Sequence, residues 1–117
     1  MKADSLAEIR DRLRRFAAER DWEQYHSPKN LSMALIAEAG ELVEHFQWLT
    51  EEQSKSLPEA QKAKVKDEIA DVFIYLVRLA DKLDVDLFAS ACDKIARNAQ
   101  KYPVEKARGS NKKYTEL

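Results

Sequence analysis

Two segments decide the fold, LSMALIAEAGELVEHFQWL at 31–49 and AKVKDEIADVFIYLVRLADKL at 63–83. In the first, Leu31, Leu35, Leu42, Phe46 and Leu49 fall on one stripe. In the second, Val65, Ile69, Val72, Leu76, Leu79 and Leu83 repeat at 3.6-residue spacing. That period belongs to amphipathic helices, because a strand would alternate every second residue. The spacing predicts helices over about 29–49 and about 57–83, the second opened by Ser56 and Pro58. Upstream, Leu6, Ile9, Leu13, Phe16 and Ala17 keep the same period behind an N-cap at Asp4 or Ser5, predicting a helix over about 5–20. DWEQYHSPKN at 21–30 has no period and reads as an ordered, aromatic loop, with Pro28 suited to a helix start. The polar run TEEQSKS at 50–56 ends the second helix. Asp84 or Asp86 caps a fourth helix that carries Leu87, Cys92, Ile95 and Ala99 and stops before Pro103.

These elements predict an all-α protein, four helices in a bundle-like arrangement forming a single domain over residues 1–117. Composition agrees: 44% hydrophobic and 35% charged residues, with two glycines and three prolines, suit long helices better than turn-rich β structure. A chain of 117 residues leaves much apolar helix surface to cover, so an oligomer is expected. The single cysteine, Cys92, excludes an intramolecular disulfide and points to a reducing, cytoplasmic setting. No apolar run reaches the ~20 residues of a membrane span, so no membrane partner is expected.

Charge is unevenly spread. Residues 1–60 hold 8 Lys/Arg against 12 Asp/Glu, whereas residues 94–113 hold 7 Lys/Arg against Glu105 alone. The acidic half and a pI near 6.1 oppose a broad phosphate-tracking surface, so no nucleic-acid partner is expected.

The chemistry lies in two acidic patterns, Glu38-Ala-Gly-Glu41 and Glu68-Ile-Ala-Asp71, each placing two carboxylates one turn apart on one helix face. Such pairs are common on solvated helices. Glu38, however, is bracketed by Ala34, Leu35 and Leu42 inside the apolar stripe, and a buried acid needs a partner or a metal. Glu68 and Asp71 border the stripe of Val65, Ile69 and Val72. Four converging carboxylates raise one another's pKa unless cations neutralise them. An all-oxygen set favours Mg²⁺, or Mn²⁺, over zinc. Di-iron bundles use a Glu-x-x-His pair on each of two helices, whereas the one Glu-x-x-His here, Glu23 to His26, lies in the aromatic loop and His45 has Leu42 three positions earlier. Gly40, in mid-helix, either permits close helix packing or keeps bulk away from metal and substrate.

These residues resemble the all-α nucleotide pyrophosphohydrolases of the MazG type, whose motif is Glu-x-x-Glu followed by Glu-x-x-Asp on adjacent helices. FAAERDWEQYHSPKNL (16–31), ELVEHFQW (41–48), DVFIYLV (71–77) and KYPVEKARGSNKKYTEL (101–117) are similar to the branch acting on dCTP. The resemblance implies that Glu38, Glu41, Glu68 and Asp71 bind Mg²⁺, with Glu38 and Glu41 catalytic. It implies that Trp22, His26, Trp48 and Tyr75 line the nucleotide site, with Asn98 and Lys101 also contacting substrate. The implied reaction is hydrolysis of dCTP, or 5-modified dCTP, to monophosphate and pyrophosphate in nucleotide-pool sanitation. The implied assembly is a homotetramer, with a dimer as the alternative. One departure stands out: animal members of the branch carry a histidine near the base where this chain has Leu13.

Under that reading a triphosphate's charge, added to that of the acids, calls for two or three ions. The basic tail at 103–117, with Arg108, Lys112 and Lys113 beside Lys101, would dock near the site and meet the outer phosphates. Tyr102, Pro103 and Tyr114 argue for a docked tail over a solvated one. Trp22 and Trp48 could clamp a base by stacking, and Tyr75, one turn beyond Asp71, could exclude a 2′-hydroxyl. A broad-specificity house-cleaning enzyme is the alternative within the class. The non-enzyme alternative, a helical adaptor with solvated acids, predicts no stabilisation by Mg²⁺ with nucleotide.

Overall fold

The computed structural model describes residues 5–117. Its elements are α1 (Leu6–Glu19), α2 (Pro28–Glu44), α3 (Glu51–Ser54), α4 (Glu59–Lys82), α5 (Leu87–Lys101) and α6 (Val104–Ala107), with 3-10 turns at Glu23–Tyr25 and Tyr114–Glu116. Among the described residues there is no strand, as the period of the apolar residues requires. Two compact units are present, one reaching to Asp84 and one spanning Val85–Leu117.

In the first unit α4 packs along α2 and, over a shorter length, α1. Leu31 (1% exposed), Ala17, Val65, Val77 and Ala80 form a thin core. α1 and α2 each begin at a side-chain cap. The Ser5 hydroxyl accepts from the Glu8 N–H (3.2 Å) at α1; Asp4, the other cap considered, lies outside the described residues. Ser27 accepts from Asn30 (3.1 Å) at α2, with Pro28 in the first turn. Satisfying one otherwise unpaired helix N–H in this way contributes about 1 kcal/mol.

At the end of α1, Asp21 turns left-handed (φ 55°). Its N–H donates to Ala18 O (3.1 Å), and the Trp22 N–H reaches back to Ala17 O (2.9 Å). This is a Schellman closure, which needs one residue at positive φ. It sets the chain direction into the aromatic loop.

Three details differ from the sequence expectation, and a fourth resolves the choice it left open at the start of α5. α2 stops at Glu44, not near Leu49, because His45 and Phe46 donate to carbonyls three residues back, on Leu42 and Val43, and tighten the chain into turns. TEEQSKS holds a short helix, α3, closed by a capping box between Thr50 and Gln53 (2.9 and 3.1 Å). Ser56 caps nothing: α4 starts after Pro58 without a side-chain cap. Asp86, not Asp84, caps α5 by accepting from Ala89 (2.9 Å), since Asp84 sits at positive φ in the preceding turn.

The second unit is α5, α6 and the tail. The Tyr102 N–H closes α5 on Asn98 O (2.8 Å), and the Tyr102 ring meets Tyr114 edge-on at 5.9 Å. The Lys101 ammonium stands 5.0 Å over the Tyr114 ring. The tail is thus folded against the end of its own helix. Among the described residues no helix is long and apolar enough to cross a membrane.

Candidate functional site

The site grows from the packing of α2 on α4. Both helices carry their acids at one-turn spacing, and the crossing brings Glu38 and Glu41 of α2 to Glu68 of α4. One carboxylate oxygen from each lies within 4.8 Å of the others. Glu38 Oε2 and Glu68 Oε2 are buried without any hydrogen-bond partner. An orphaned buried carboxylate oxygen is costly, and two of them facing a third acid need a cation or shared protons.

The electrostatics say the same. Burial, then the neighbouring carboxyl of Glu41, then the charges of Glu41, Asp71 and Glu68, push the Glu38 carboxyl up to about 7. Glu68 is raised by burial and by Glu41, with Asp71 adding to the effect and His45 opposing it. Two acceptors cannot bond each other without a proton between them, so the contact with Glu41 favours the protonated form. Asp71 is outside the close trio but near enough for its charge to act on both buried acids. Three oxygen donors of like charge with open lone pairs fit a hard divalent cation.

His45 borders this cluster, although the sequence pattern did not single it out as a site residue. Its Nε2 stands 3.8 Å from Glu68 Oε1, and Nδ1 is 2.8 Å from the Gln61 amide. The signal was present: His45 lies one turn beyond Glu41. It also lines a cavity of about 490 Å³ together with Leu49, Gln53, Leu57 and Gln61.

A Cβ built on Gly40 meets nothing within 4 Å. Close helix packing inside the chain therefore does not explain this glycine, and open space lies beside the acids.

The expected nucleotide-binding residues fall into four places. Trp22 and His26 come together, rings 6.3 Å apart, with Phe16 edge-on to Trp22 at 5.7 Å. Tyr75 is half-buried on α4, and Trp48 is 86% exposed in the turn after α2, with no ring against it among the described residues. Asn98 and Lys101 belong to the second unit. His26 does not cap α2, which Ser27 does; its Nδ1 accepts from Arg78.

Arg78, likewise absent from the sequence expectation, is 3% exposed and bonds Glu23 Oε1 (2.7 Å). Lys82 also bonds Glu23, and Arg14 holds Asp81 through a two-pronged contact (2.8 and 2.5 Å). Lys82 and Arg78 keep the Glu23 carboxyl below the usual range, and Arg14 does the same for Asp81. This network ties α1, the aromatic loop and α4.

An all-helical frame carrying an acidic cluster suited to a divalent cation is the class that fold and site define. The chain matches the MazG-like family over residues 34–117. It is 48% identical to dCTP pyrophosphatase 1 of Mus musculus and 45% identical to that of Homo sapiens, in each case over 97% of this chain and 68% of the relative. Its fold superposes on the crystal structure of a pyrophosphatase from Archaeoglobus fulgidus with a TM-score of 0.81 at 36% identity, covering 88% of this chain and 96% of the other. The chain belongs to the MazG-like family.

Proposed function

We propose that this chain, a nucleoside triphosphate pyrophosphohydrolase, cleaves dCTP and its 5-substituted forms to monophosphate and pyrophosphate, clearing them from the nucleotide pool. The observation that carries the reading is the pair of buried, unpartnered oxygens on Glu38 and Glu68 beside Glu41, in a chain whose mammalian relatives are dCTP pyrophosphatases. Glu38, Glu41 and Glu68, with Asp71 completing the charge, would hold Mg²⁺ or Mn²⁺. When bound, such a cation supplies neutralisation of the phosphate oxygens and of the acids themselves.

The remaining chemistry falls to the chain. Cleavage between the α and β phosphorus atoms breaks a P–O bond, with water adding its oxygen to phosphorus and pyrophosphate leaving. No nucleophilic side chain is required. Glu38 or Glu41 orients the water and accepts its proton. Trp22, Trp48 and His26 hold the base and Tyr75 the sugar.

Oligomerisation belongs to the same proposal. Met33, Ile36 (70% exposed) and Val43 of α2, with Ile69, Phe73 and Leu76 of α4, are apolar positions at helical spacing left open in the single chain. A dimer, or a tetramer built from two, would cover them.

The test is pyrophosphate release from canonical NTPs, dNTPs and 5-methyl-dCTP, with Mg²⁺ or EDTA, beside Glu38→Gln. Metal-dependent release strongest with dCTP and lost in the variant supports the reading. Even rates across the panel would move the chain to broad house-cleaning, and inactivity throughout would sink the enzymatic reading.

A further inference from the structure

Arg78 stands among the buried Val77 and Ala80 of α4 and is itself 3% exposed. A guanidinium is a pure donor with no lone pair to offer. Its Nε and Nη2 lie 3.3 and 3.1 Å from His26 Nδ1, while Nη2 also bonds Glu23 Oε1 (2.7 Å) and Nη1 stands 3.7 Å from Asp81 Oδ2. Glu23 is held on its other oxygen by Lys82, so Arg78 is braced from several sides.

The count of donors fixes the tautomer. Nδ1 of His26 faces two donors, so it must be the bare, accepting nitrogen, and the ring proton sits on Nε2. Burial and then the Arg78 charge hold the imidazole below its usual pKa, with Glu23 opposing and Lys82 assisting. Nε2 has no hydrogen-bond partner among the described residues, and the ring stands 6.3 Å from that of Trp22.

We propose that Arg78 is a specificity-positioning residue that locks His26 in its Nε2–H form, so that the ring presents a hydrogen-bond donor to the acceptor edge of a cytosine. Cytosine N3 accepts a hydrogen bond, whereas N3 of uracil and thymine carries a hydrogen and meets the donor with a donor. A histidine free to change tautomer would accept from uracil as readily as it donates to cytosine. The inference rests on the reading that His26 lies in the nucleotide site.

Two measurements test it separately from that reading. Long-range ¹H–¹⁵N spectra of the wild-type protein at pH 7.5 should show His26 protonated at Nε2 and bare at Nδ1. The opposite tautomer, or a mixture, overturns the proposal, even if every Arg78 variant fails to fold. Steady-state rates with dCTP and dUTP for Arg78→Met, His26→Ala and the double variant form the second. Arg78→Met should lower the dCTP to dUTP ratio of kcat/KM about tenfold, chiefly through KM, the scale of one hydrogen bond. The ratio should recover as pH falls from 8 to 6, because an imidazolium carries a proton on Nε2 regardless of Arg78, whereas the wild-type ratio stays flat. In a His26→Ala background the Arg78 change should leave the ratio alone. Equal losses for both nucleotides without recovery at low pH would make Arg78 merely structural. If His26→Ala changes neither KM while the spectrum shows Nε2–H, it is the placement of His26 at the base that fails, and the proposal falls with it.

Discussion

Replacing Glu38 by Gln in the metal-free protein should stabilise the fold while abolishing activity. Glu38 titrates at about 7 in the folded chain against an ordinary 4.5. A carboxyl raised in the folded state binds more protons folded than unfolded between those values, so the metal-free protein loses stability as pH rises from 4.5 to 7. The span corresponds to at most ~3 kcal/mol, and solvent around a partly exposed side chain reduces it to about 1–2 kcal/mol. The amide that replaces the carboxyl has no charge to desolvate. At pH 8 in EDTA the variant should melt about 4–8 °C above wild type, and at pH 5 the difference should close. Saturating Mg²⁺ should reverse the order at pH 8, because the ion stabilises only the chain that binds it. Differential scanning fluorimetry at the two pH values, with and without metal, reads all of this. An equal loss of stability in Glu38→Gln at both pH values would refute the claim that this carboxylate is held against its own burial.

The same geometry sets other expectations. Gly40→Ala should raise stability by up to about 1 kcal/mol through helix propensity, since beyond the local backbone of its own helix nothing lies within 4 Å of the new methyl; a simultaneous fall in dCTP turnover would assign that space to the ligand. Asp81→Asn should destabilise by about 2 kcal/mol at pH 7 by leaving Arg78 and Arg14 short of an acceptor, measured by urea denaturation. Because the Asp81 and Glu23 carboxyls are held below their ordinary values of 3.8 and 4.5, their contribution is complete above about pH 5 and is lost in acid, opposite in sign to that of Glu38. Trp48→Ala should raise the KM for dCTP about tenfold or more without changing the melting temperature, given its 86% exposure.

The long helices were legible because burying one face of a helix imposes the period that Val65, Ile69 and Val72 or Leu31 and Leu35 display. The convergence of Glu38, Glu41 and Glu68 was legible for the converse reason: acids occupied or bordered those same stripes. The end of α2 was not, since Phe46 and Leu49 continue the apolar pattern while the backbone tightens beneath it. α3 could have been read from Thr50 and Gln53, whose spacing is a capping box. Arg78 gave a weaker signal, a cation between Val77 and Leu79. Its partners Glu23 and His26 lie more than fifty residues away, a separation over which periodicity carries no information.

The left-handed turn at Asp21 has a bearing on how a flat molecule would be received. Trp22 is 44% exposed, yet its backbone is pinned by the bond to Ala17 and its indole rests edge-on against Phe16. Little motion remains for a ligand to freeze, so contact with Trp22 forfeits little of the ~0.5–1.5 kcal/mol that ordering a free side chain costs. Trp48 has no such support. If both line the proposed nucleotide site, one aromatic is a preformed wall and the other a movable one. Fast capture should therefore be governed by the first and slow release by the second, leaving association rates sensitive to Phe16 and Asp21, and residence times to Trp48.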